Sequence, residues 1–387
     1  MEKLVLTDTD INLSVSDFEI PGEMLGFSAE GYIRKRTLHG GRQEGVELLE
    51  ISNGTLSLRI CPTRGMGIID GSFQGKRIGW TSPVEEIIHP AFINLLEMGG
   101  RGCHYGFNEF LNRCGMCWMG AMGDDVVVDN MGNVGSVFLP LHGKVGWTPA
   151  KKLTVEWEEG TVCITGEITE QLVFGQNLIL RSVLRMNRDS SVVIEDTLIN
   201  KGSSDTEYEV LYHVNVGDPI LESGSKIYSS FDAIMPRDKF AEEEMEDPFR
   251  YPGPEKDYIE KVFFLQGHPD SEGFAHNLIV NKNEDLGVRV SYKTASLPYT
   301  VLWKYCNEMS DGYVTGLNPC SDFPNSRKSE REAGRVKKIK PGEEIQFGLK
   351  IAFTSSIGEL KEMKKFIEEN SGKKEIIPEY NPNIFSL

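Results

Sequence analysis

Apolar and polar residues alternate along most of the chain with the two-residue period that is typical of β-strands. The alternation is clearest in residues 209–217. One face of this predicted strand carries Val210, Tyr212, Val214 and Val216, and the other carries Glu209, Leu211, His213, Asn215 and Gly217. A histidine and an asparagine side by side indicate that the second face either is solvated or lines a site.

Turn-forming pairs separate the strand-like segments, among them Asn53–Gly54, Asp70–Gly71 and Gln74–Gly75. Turn signals spaced by about 8–12 residues are typical of an antiparallel sandwich or barrel. The fold class is therefore predicted to be mainly β. We expect a large antiparallel β-sandwich with few helices, forming one domain over residues 1–387, with N-terminal strands at about 1–40.

Two segments have the apolar spacing of helices. The first is residues 83–98, which begins with a proline. The second is residues 356–372, where Ser356 is a suitable N-cap and Gly372 a suitable C-terminal stop. We expect this second helix to pack on the sandwich. Residues 236–258 are acidic and contain several prolines, which predicts a long surface loop.

The composition narrows the possible partners. The 387 residues are 39% hydrophobic and 26% charged, and the formal net charge is −17. Such an acidic chain is poorly suited to nucleic acid or to an anionic membrane. No apolar stretch is long enough for a membrane helix, and the N-terminus lacks the pattern of a secretory signal. The sequence therefore predicts a cytoplasmic protein without a membrane or nucleic-acid partner, and it leaves the oligomeric state open.

Seven cysteines, an odd number, are scattered along the chain and do not form a disulfide framework. Cys114 and Cys117 form a single C-x-x-C without a second pair, which is weak evidence for zinc. A structural role and no metal site are expected. Phosphate-loop, dinucleotide, G-x-S-x-G and H-E-x-x-H motifs are absent.

Three of the seven histidines lie in segments that could form a site. His104 lies in the glycine-rich "GGRGCHYGFNEF", His142 in "LPLHGKVGW", and His213 on the strand described first. Taken alone, each of the latter two is compatible with a structural histidine or with a catalytic one.

Several motifs, in this order, resemble the aldose 1-epimerase-like (galactose mutarotase-like) superfamily, closest to a branch of uncharacterised bacterial homologues. They are "RICPTRGMGIIDGSFQGKRIGWTSP", "GFNEFLNRCG", "LPLHGKVGW", "LYHVNVGDPIL" and "YVTGLNPCSDFPNSR". The resemblance covers roughly residues 40 to 355. It implies a large β-sandwich that binds a small-molecule sugar and interconverts its anomers, as an isomerase of carbohydrate metabolism. It also implies a histidine acid, a glutamate base and no cofactor.

Carried over to this chain, the resemblance makes His213 the general acid and His142 the first family histidine, which polarises or positions the ring. Arg64 would hold sugar hydroxyls, and Asn215 would point at the sugar beside His213. The family's glutamate, in a "GLEP"-like segment, is replaced here by Asn318 in "GLNP". An amide can bind a hydroxyl group but cannot remove its proton.

Three interpretations remain open. Another carboxylate could act as the base, with Asp322 nearest and Glu308 and Asp311 as further candidates. Alternatively, the protein binds a sugar without turning it over, or it is a different sugar isomerase or lyase. Further candidates for sugar binding are Trp303, Lys304 and Arg327, although Arg327 could instead pair with Glu330. No cluster of lysine and arginine in the sequence demands a phosphorylated substrate.

Overall fold

The computed structural model describes residues 1–382 and 384–385. Two large sheets form the framework of the fold, and their neighbouring strands are antiparallel, apart from one short parallel pair. The first sheet has ten strands, in the spatial order β18 (Lys226–Ser229), β21 (Phe274–Val280), β22 (Gly287–Lys293), β26 (Glu344–Thr354), β15 (Ser191–Asn200), β14 (Asn177–Met186), β13 (Thr161–Gln171), β12 (Lys152–Glu158), β1 (Glu2–Asp8) and β2 (Leu13–Ser14). The second has thirteen strands, in the order β27 (Glu375–Ile376), β19 (Phe231–Pro236), β20 (Lys261–Gly267), β23 (Tyr299–Tyr305), β24 (Val314–Cys320), β17 (Leu211–Val216), β9 (Leu111–Cys114), β7 (Gly67–Phe73), β6 (Leu56–Cys61), β5 (Glu47–Ser52), β4 (Tyr32–Thr37) and β3 (Phe18–Pro21), with β8 (Lys76–Ile78) beside β7.

Smaller elements complete the fold. Two further sheets have two strands each: β10 (Gly123–Val128) with β11 (Val134–Leu139), and β16 (Thr206–Tyr208) with β25 (Lys337–Ile339). The α-helices are α1 (Gly22–Leu25), α2 (Glu97–Gly100), α3 (Lys239–Glu242), α4 (Arg327–Glu332) and α5 (Ile357–Glu369). Short 3-10 turns cover Thr9–Ile11, Gly41–Gln43, Pro90–Phe92, Gly102–Tyr105, Val145–Trp147 and Met309–Asp311. Within the described residues, no helix has the length and hydropathy needed to span a membrane.

The two large sheets share one apolar core. Leu153 and Val155 of the ten-stranded sheet belong to the same cluster of buried side chains as Leu49 and Ile51 of the thirteen-stranded sheet. Apolar residues on alternate strand positions point into this cluster because successive side chains of a strand face opposite sides. The predicted fold class, a mainly β sandwich with few helices, is confirmed.

Strand β17 shows why the histidine face matters. Tyr212, Val214 and Val216 lie in the shared core, as the alternation predicts. The opposite face is not solvated, because His213 is only 6% exposed and Asn215 is fully buried. The face of the sheet that points away from the shared core thus carries two buried polar side chains. Each of them needs a hydrogen-bond partner.

The predicted C-terminal helix is present as α5. The side chain of Ser356 caps it by accepting a hydrogen bond from the backbone N–H of Glu359 at 3.3 Å. Leu360 and Ile367 are buried against strands of the ten-stranded sheet. The helix ends at Glu369, three residues before the predicted glycine stop.

The predicted helix over residues 83–98 is wrong. This segment is irregular apart from the 3-10 turn Pro90–Phe92 and the start of α2. Pro90 cannot donate a helical hydrogen bond, and Met98 and Gly99 have left-handed backbone conformations with φ of 50° and 64°. Of the apolar residues that mimic a helical spacing, Ile87 and Ile88 are buried, whereas Phe92, Leu96 and Met98 are exposed.

The predicted surface loop over residues 236–258 is only partly correct, because the segment is irregular apart from one short helix but is anchored in the core. The segment begins at the end of β19 and contains α3, whose N-terminus is capped by Asp238. Ala241, Met245 and Tyr251 are buried in the shared core. The acidic residues alternate with these anchors, so composition alone hides the packing of the segment.

Candidate active site

A cavity of about 510 Å³ opens over the centre of the thirteen-stranded sheet. Its floor is made of alternate residues of neighbouring strands, since only every second side chain of a strand reaches a given face. These floor residues are Glu260 and Val262, at the start of β20, Val301, Trp303 and Tyr305 of β23, Asn318 of β24, and Leu211 and His213 of β17. The walls come from segments that include the mispredicted residues 83–98 and the glycine-rich residues 99–107.

His213 is fixed in the floor by a chain of hydrogen bonds. Its Nδ1 lies 2.7 Å from Oδ1 of Asn215. The Nδ2 of Asn215 donates to the backbone oxygen of Glu109 at 2.9 Å, so its Oδ1 must accept from the imidazole. The ring packs edge-on against Phe107 and Trp303, with centroids 5.1 and 5.3 Å away.

His142 approaches the same ring from a loop between β11 and the 3-10 turn Val145–Trp147. Its backbone φ of 64° is left-handed, and the next residue, Gly143, is so close to the chain that a Cβ would lie 2.2 Å from the Trp118 oxygen. This tight turn brings the imidazole of His142 edge-on to that of His213, with centroids 5.5 Å apart. Its Nδ1 lies 3.0 Å from the backbone oxygen of Met119.

Both imidazoles carry their proton on the same nitrogen when they are neutral. Each Nδ1 faces an oxygen that only accepts, so each Nδ1 must donate. Neither Nε2 has a hydrogen-bond partner within the described part of the chain. Each histidine therefore keeps an Nε2 lone pair available, which is a proton acceptor within the cavity lining.

Burial keeps both imidazoles uncharged at neutral pH. It lowers the pKa of His213 to about 3, with a further contribution from the charge that His142 would carry. Burial also lowers the pKa of His142 to about 4, although its hydrogen bond to Met119 opposes the shift. Two imidazolium charges so close together in a low-dielectric environment would repel each other strongly.

One part of the floor combines aromatic rings with an ion pair. Trp303 and Tyr305 are stacked, with centroids 5.9 Å apart and an angle of 9° between their planes. The indole N–H of Trp303 donates to Oε2 of Glu260 at 2.8 Å, and Arg237 Nη2 lies 2.9 Å from the other oxygen of Glu260. Stacked rings with polar edges are a common surface for sugars.

Three polar residues line the cavity closer to solvent. Arg101 and His104 belong to the glycine-rich segment, and Asp311 belongs to the 3-10 turn before β24. All three are exposed to solvent. Although His104 is partly exposed, the residues around its ring remove water from it and so lower its pKa. The charge of Arg101 lowers this pKa further.

Of the predicted site residues, His213, His142, Asn318 and Trp303 line this cavity together, and so does Asp311, one of the further candidates for the base. Asn318 lies opposite His213 on the neighbouring strand, and its Oδ1 accepts a hydrogen bond from the backbone N–H of Val214 at 3.0 Å. Its side chain folds over Gly316, where a Cβ would lie 2.6 Å from Nδ2. The glycine therefore makes room for the amide.

Asn215 and Lys304 lie close to the cavity without lining it. Asn215 is behind His213 and orients its ring. Lys304 follows Trp303 on β23 and therefore points to the opposite face of the sheet, where it pairs with Glu244 and donates to the Arg250 oxygen at 2.9 Å. Its predicted contact with a sugar finds no support in this position.

Arg64 and Arg327 lie outside the cavity lining. Arg64 is fully buried, paired with Glu109 and stacked over Trp147 at 4.6 Å. Arg327 of α4 lies 2.8 Å from a carboxylate oxygen of Glu207, and not beside Glu330, whose carboxylate binds Arg335. Charge pairing inside the protein thus occupies both guanidinium groups.

Asp322, the nearest predicted substitute for the base, also lies outside the cavity lining. It is fully buried beside Glu209, and its nearest hydrogen-bond partner is the hydroxyl of Ser321 at 3.2 Å. Burial and the negative charge of Glu209 raise the pKa of Asp322 well above its ordinary range. A sealed, protonated carboxyl has no access to a substrate hydroxyl.

Several lining residues were missed in the sequence. Tyr305 lies two positions after Trp303, so the strand alternation alone could have found it. Arg101 lies in the glycine-rich segment that drew attention to His104. Arg237 and Glu260 carry no such signal, since Arg237 lies inside, and Glu260 just after, the segment that looked like a surface loop.

The two cysteines of the C-x-x-C motif are free thiols in the protein interior. Cys114 and Cys117 are both buried, and burial raises the pKa of each well above its ordinary value. Within residues 1–382 and 384–385, no three histidine, cysteine or acidic side chains are grouped so that they could hold a metal ion.

The sequence matches a family model described as "Domain of unknown function (DUF4432)" over residues 43–353. The chain belongs to this family. No curated protein matches the chain in sequence. A solved Klebsiella pneumoniae structure, named "putative aldose 1-epimerase", is 31% identical with a TM-score of 0.91, and the match covers 99% of each chain.

More distant structures show that this DUF4432 protein has the galactose mutarotase-like fold. A galactose mutarotase-like protein from Clostridium acetobutylicum has a TM-score of 0.59 at 14% identity, covering 84% of this chain and 99% of that one. A galactose 1-epimerase from Lactobacillus acidophilus has a TM-score of 0.50 at 10% identity, covering 83% and 98%. The resemblance seen in the sequence motifs is thereby confirmed at the level of the fold.

Proposed function

We propose that this protein binds a sugar in the cavity and interconverts its anomers by acid–base ring opening. The observation that carries the proposal is the pair of neighbouring imidazoles, His142 and His213, each with its Nδ1 tethered and its Nε2 unpaired. Mutarotation needs two proton carriers near the anomeric centre and no cofactor, which these side chains can supply.

The proposed reaction moves two protons. One imidazole removes the proton of the anomeric hydroxyl, and the other, in its protonated form, donates a proton to the ring oxygen. The bond between C1 and the ring oxygen breaks while a C1 carbonyl forms; rotation about C1–C2 and reclosure then give the other anomer. We assign the acid to His213 and the base to His142, with the roles exchanged for the opposite direction.

We choose His142 as the base over Glu260 and Asp322, and Asp311, which lines the cavity nearer to solvent, is the alternative base. Both oxygens of Glu260 are engaged, one by Arg237 and one by the indole of Trp303. Asp322 is sealed in the protein interior. The Nε2 of His142 has no competing partner, so a substrate hydroxyl could take that position.

Asn318 and the stacked rings of Trp303 and Tyr305 would hold the sugar. The Oδ1 of Asn318 is already bound to a backbone N–H, which leaves its Nδ2 to donate to a sugar oxygen. Trp303 and Tyr305 offer an apolar surface to the C–H groups of the ring. In this proposal the amide binds and orients the substrate, and proton transfer belongs to the histidines.

The proposal is tested by magnetisation-transfer NMR between the anomers of a panel of aldoses and ketoses, with and without the protein. We expect faster exchange for at least one sugar, and we expect His213→Gln to slow the catalysed exchange by about 100-fold or more, as for loss of a general acid. His39→Gln, on an exposed side chain outside the cavity, is the matched control. No acceleration for any sugar would contradict the proposal.

Sugar binding without turnover is the second candidate. It is favoured by Asn318, which occupies the position where the related mutarotases are expected to carry their glutamate base. Under this alternative, at least one sugar would shift the NMR signals of the cavity residues while its anomers exchange at the uncatalysed rate.

A further inference from the structure

The charged groups of the cavity are not all paired. Arg237 is held by two carboxylates, Asp238 at 2.8 Å and Glu260 at 2.9 Å. Arg101 has no carboxylate partner within the described residues, and its guanidinium makes one long contact, of 3.4 Å, with the backbone oxygen of Met98. One arginine of the lining therefore retains most of its donors for a ligand.

The backbone fixes Arg101 at this place. Met98, Gly99 and Gly100 all have positive φ, and a Cβ on Gly100 would lie 2.7 Å from the ring of Phe138. The backbone oxygen of Gly100 accepts a hydrogen bond from the N–H of Leu141 at 2.9 Å, which joins the turn to another part of the lining. The turn places an unpaired guanidinium next to the loop that carries His142.

We propose that the substrate is an anionic sugar whose carboxylate or phosphate group binds Arg101. This inference names the substrate class of the proposed function and rests on it. A guanidinium binds either group through two parallel hydrogen bonds, a geometry that a neutral hydroxyl cannot match. His104, in the same glycine-rich segment, also lines the cavity.

The other charges of the lining are compatible with this assignment. Glu260 is paired with Arg237, which it shares with Asp238. Among the described residues Asp311 has no cation partner, but it lies on a different turn, where Gly312 packs so closely that a Cβ would be 2.7 Å from Trp80 and 3.3 Å from Pro83. The lining thus offers an unpaired cation and an unpaired anion on separate segments, which suits a substrate with an acidic group at one end and hydroxyl groups elsewhere.

An anionic substrate would also supply what the histidine pair lacks. Both imidazoles are uncharged in the empty cavity because burial lowers their pKa values. The proposed reaction needs one proton on the pair, and a nearby negative charge favours the protonated form of an imidazole. A neutral sugar would bring no such compensation.

The inference is tested by binding measurements on matched sugars. Galactose is compared with galacturonate, and glucose with glucuronate and with glucose 6-phosphate, by titration calorimetry or ligand-observed NMR. These probes separate a carboxylate from a phosphate. The wild type is compared with Arg101→Gln and with Arg36→Gln, an exposed arginine on β4 that lies outside the lining.

We expect at least one acidic sugar to bind about tenfold or more tightly than its neutral parent, the ratio expected for a charge-assisted pair. Arg101→Gln is expected to reduce that ratio by about tenfold, and Arg36→Gln to leave it unchanged. Equal binding of charged and neutral sugars, a preference that survives in Arg101→Gln, or no binding of any acidic sugar would each overturn the inference. Anomer exchange, measured on the acidic and the neutral sugars alike, tests the proposed function separately: Arg101-dependent binding of an acidic sugar without exchange of its anomers would support the anionic ligand and overturn mutarotation.

Discussion

Two pairs of buried ionisable side chains lie close to strand β17, and they differ in what surrounds them. His142 and His213 lie in the cavity lining with free Nε2 atoms, whereas Glu209 and Asp322 are enclosed by protein. Burial disfavours the charged form in both pairs: it lowers the pKa values of the imidazoles and raises those of the carboxyls. Burial alone therefore does not identify the working pair. Access does, because only the imidazoles can meet a substrate.

The largest expected difference between the pairs is in catalysis. His213→Gln should slow anomer exchange by about 100-fold or more, because the general acid is lost. Asp322→Asn should leave the exchange rate within about twofold, since the carboxyl is sealed and an amide of equal size preserves the packing. The same NMR exchange measurement checks both variants. If Asp322→Asn abolishes activity while the protein stays folded, the base lies at Asp322 and the comparison is wrong.

The next difference is in how the free energy of unfolding depends on pH. Burial raises the folded-state pKa of Glu209 from its ordinary 4.5 to about 7, so the folded protein holds this proton more tightly than the unfolded chain does. The pair therefore favours folding at low pH and loses that contribution as the pH rises through about 7.

Urea unfolding at about pH 5 and pH 8 tests this sign. The stability of Asp322→Asn relative to wild type should increase by about 1–3 kcal/mol between the two pH values, because the variant no longer confines two carboxylates together. Asp17→Asn, on an exposed carboxyl, is the control and should show no such trend. A relative stability that falls with pH would contradict the account.

Adjacent residues on β23 offer a smaller contrast. Trp303→Leu should weaken sugar binding by about tenfold, since a ring surface against the substrate is lost. Lys304→Met should leave sugar binding unchanged but destabilise the fold, by about 1–3 kcal/mol, because Glu244 loses its buried partner. Calorimetric titration and urea unfolding of both variants separate the two effects. Loss of binding in Lys304→Met would show that the two faces of the strand have been assigned wrongly.

The smallest effect concerns the group behind His213. Asn215 is a positioning residue, and Asn215→Asp would place a negative charge against the Nδ1 proton of His213. A neighbouring carboxylate raises the pKa of an imidazole, so the pH profile of anomer exchange should move upward by about one pH unit. Asn133→Asp, on the exposed hairpin, is the control. A lower rate with an unmoved profile would indicate a purely structural role.

The alternation of the strands made part of the site predictable. His213 and Trp303 could be placed on strand faces from the sequence, and the family motif pointed to His142 and to Asn318. The same rule would have excluded Lys304, since a residue next to Trp303 on a strand must point the other way. The fold class followed from the same periodicity over most of the chain.

The rest depends on long-range packing that no local pattern records. Asp322 is close to Asn318 in sequence, but it lies beyond the end of β24 and turns into the protein interior beside Glu209. Arg101, Arg237 and Glu260 meet only because separate loops converge over one sheet. The motif around Arg64 suggested an arginine that binds a ligand, but its guanidinium forms a buried ion pair with Glu109.

One measurement tests the central claim most directly: the exchange rate between the anomers of galactose, glucose, galacturonate and glucuronate with the wild type and with His213→Gln, at about pH 7. The account predicts that the wild type accelerates exchange for at least one of these sugars and that His213→Gln removes the acceleration. Binding of these sugars without any acceleration, or acceleration that persists in His213→Gln, would contradict a cavity that works through its two imidazoles.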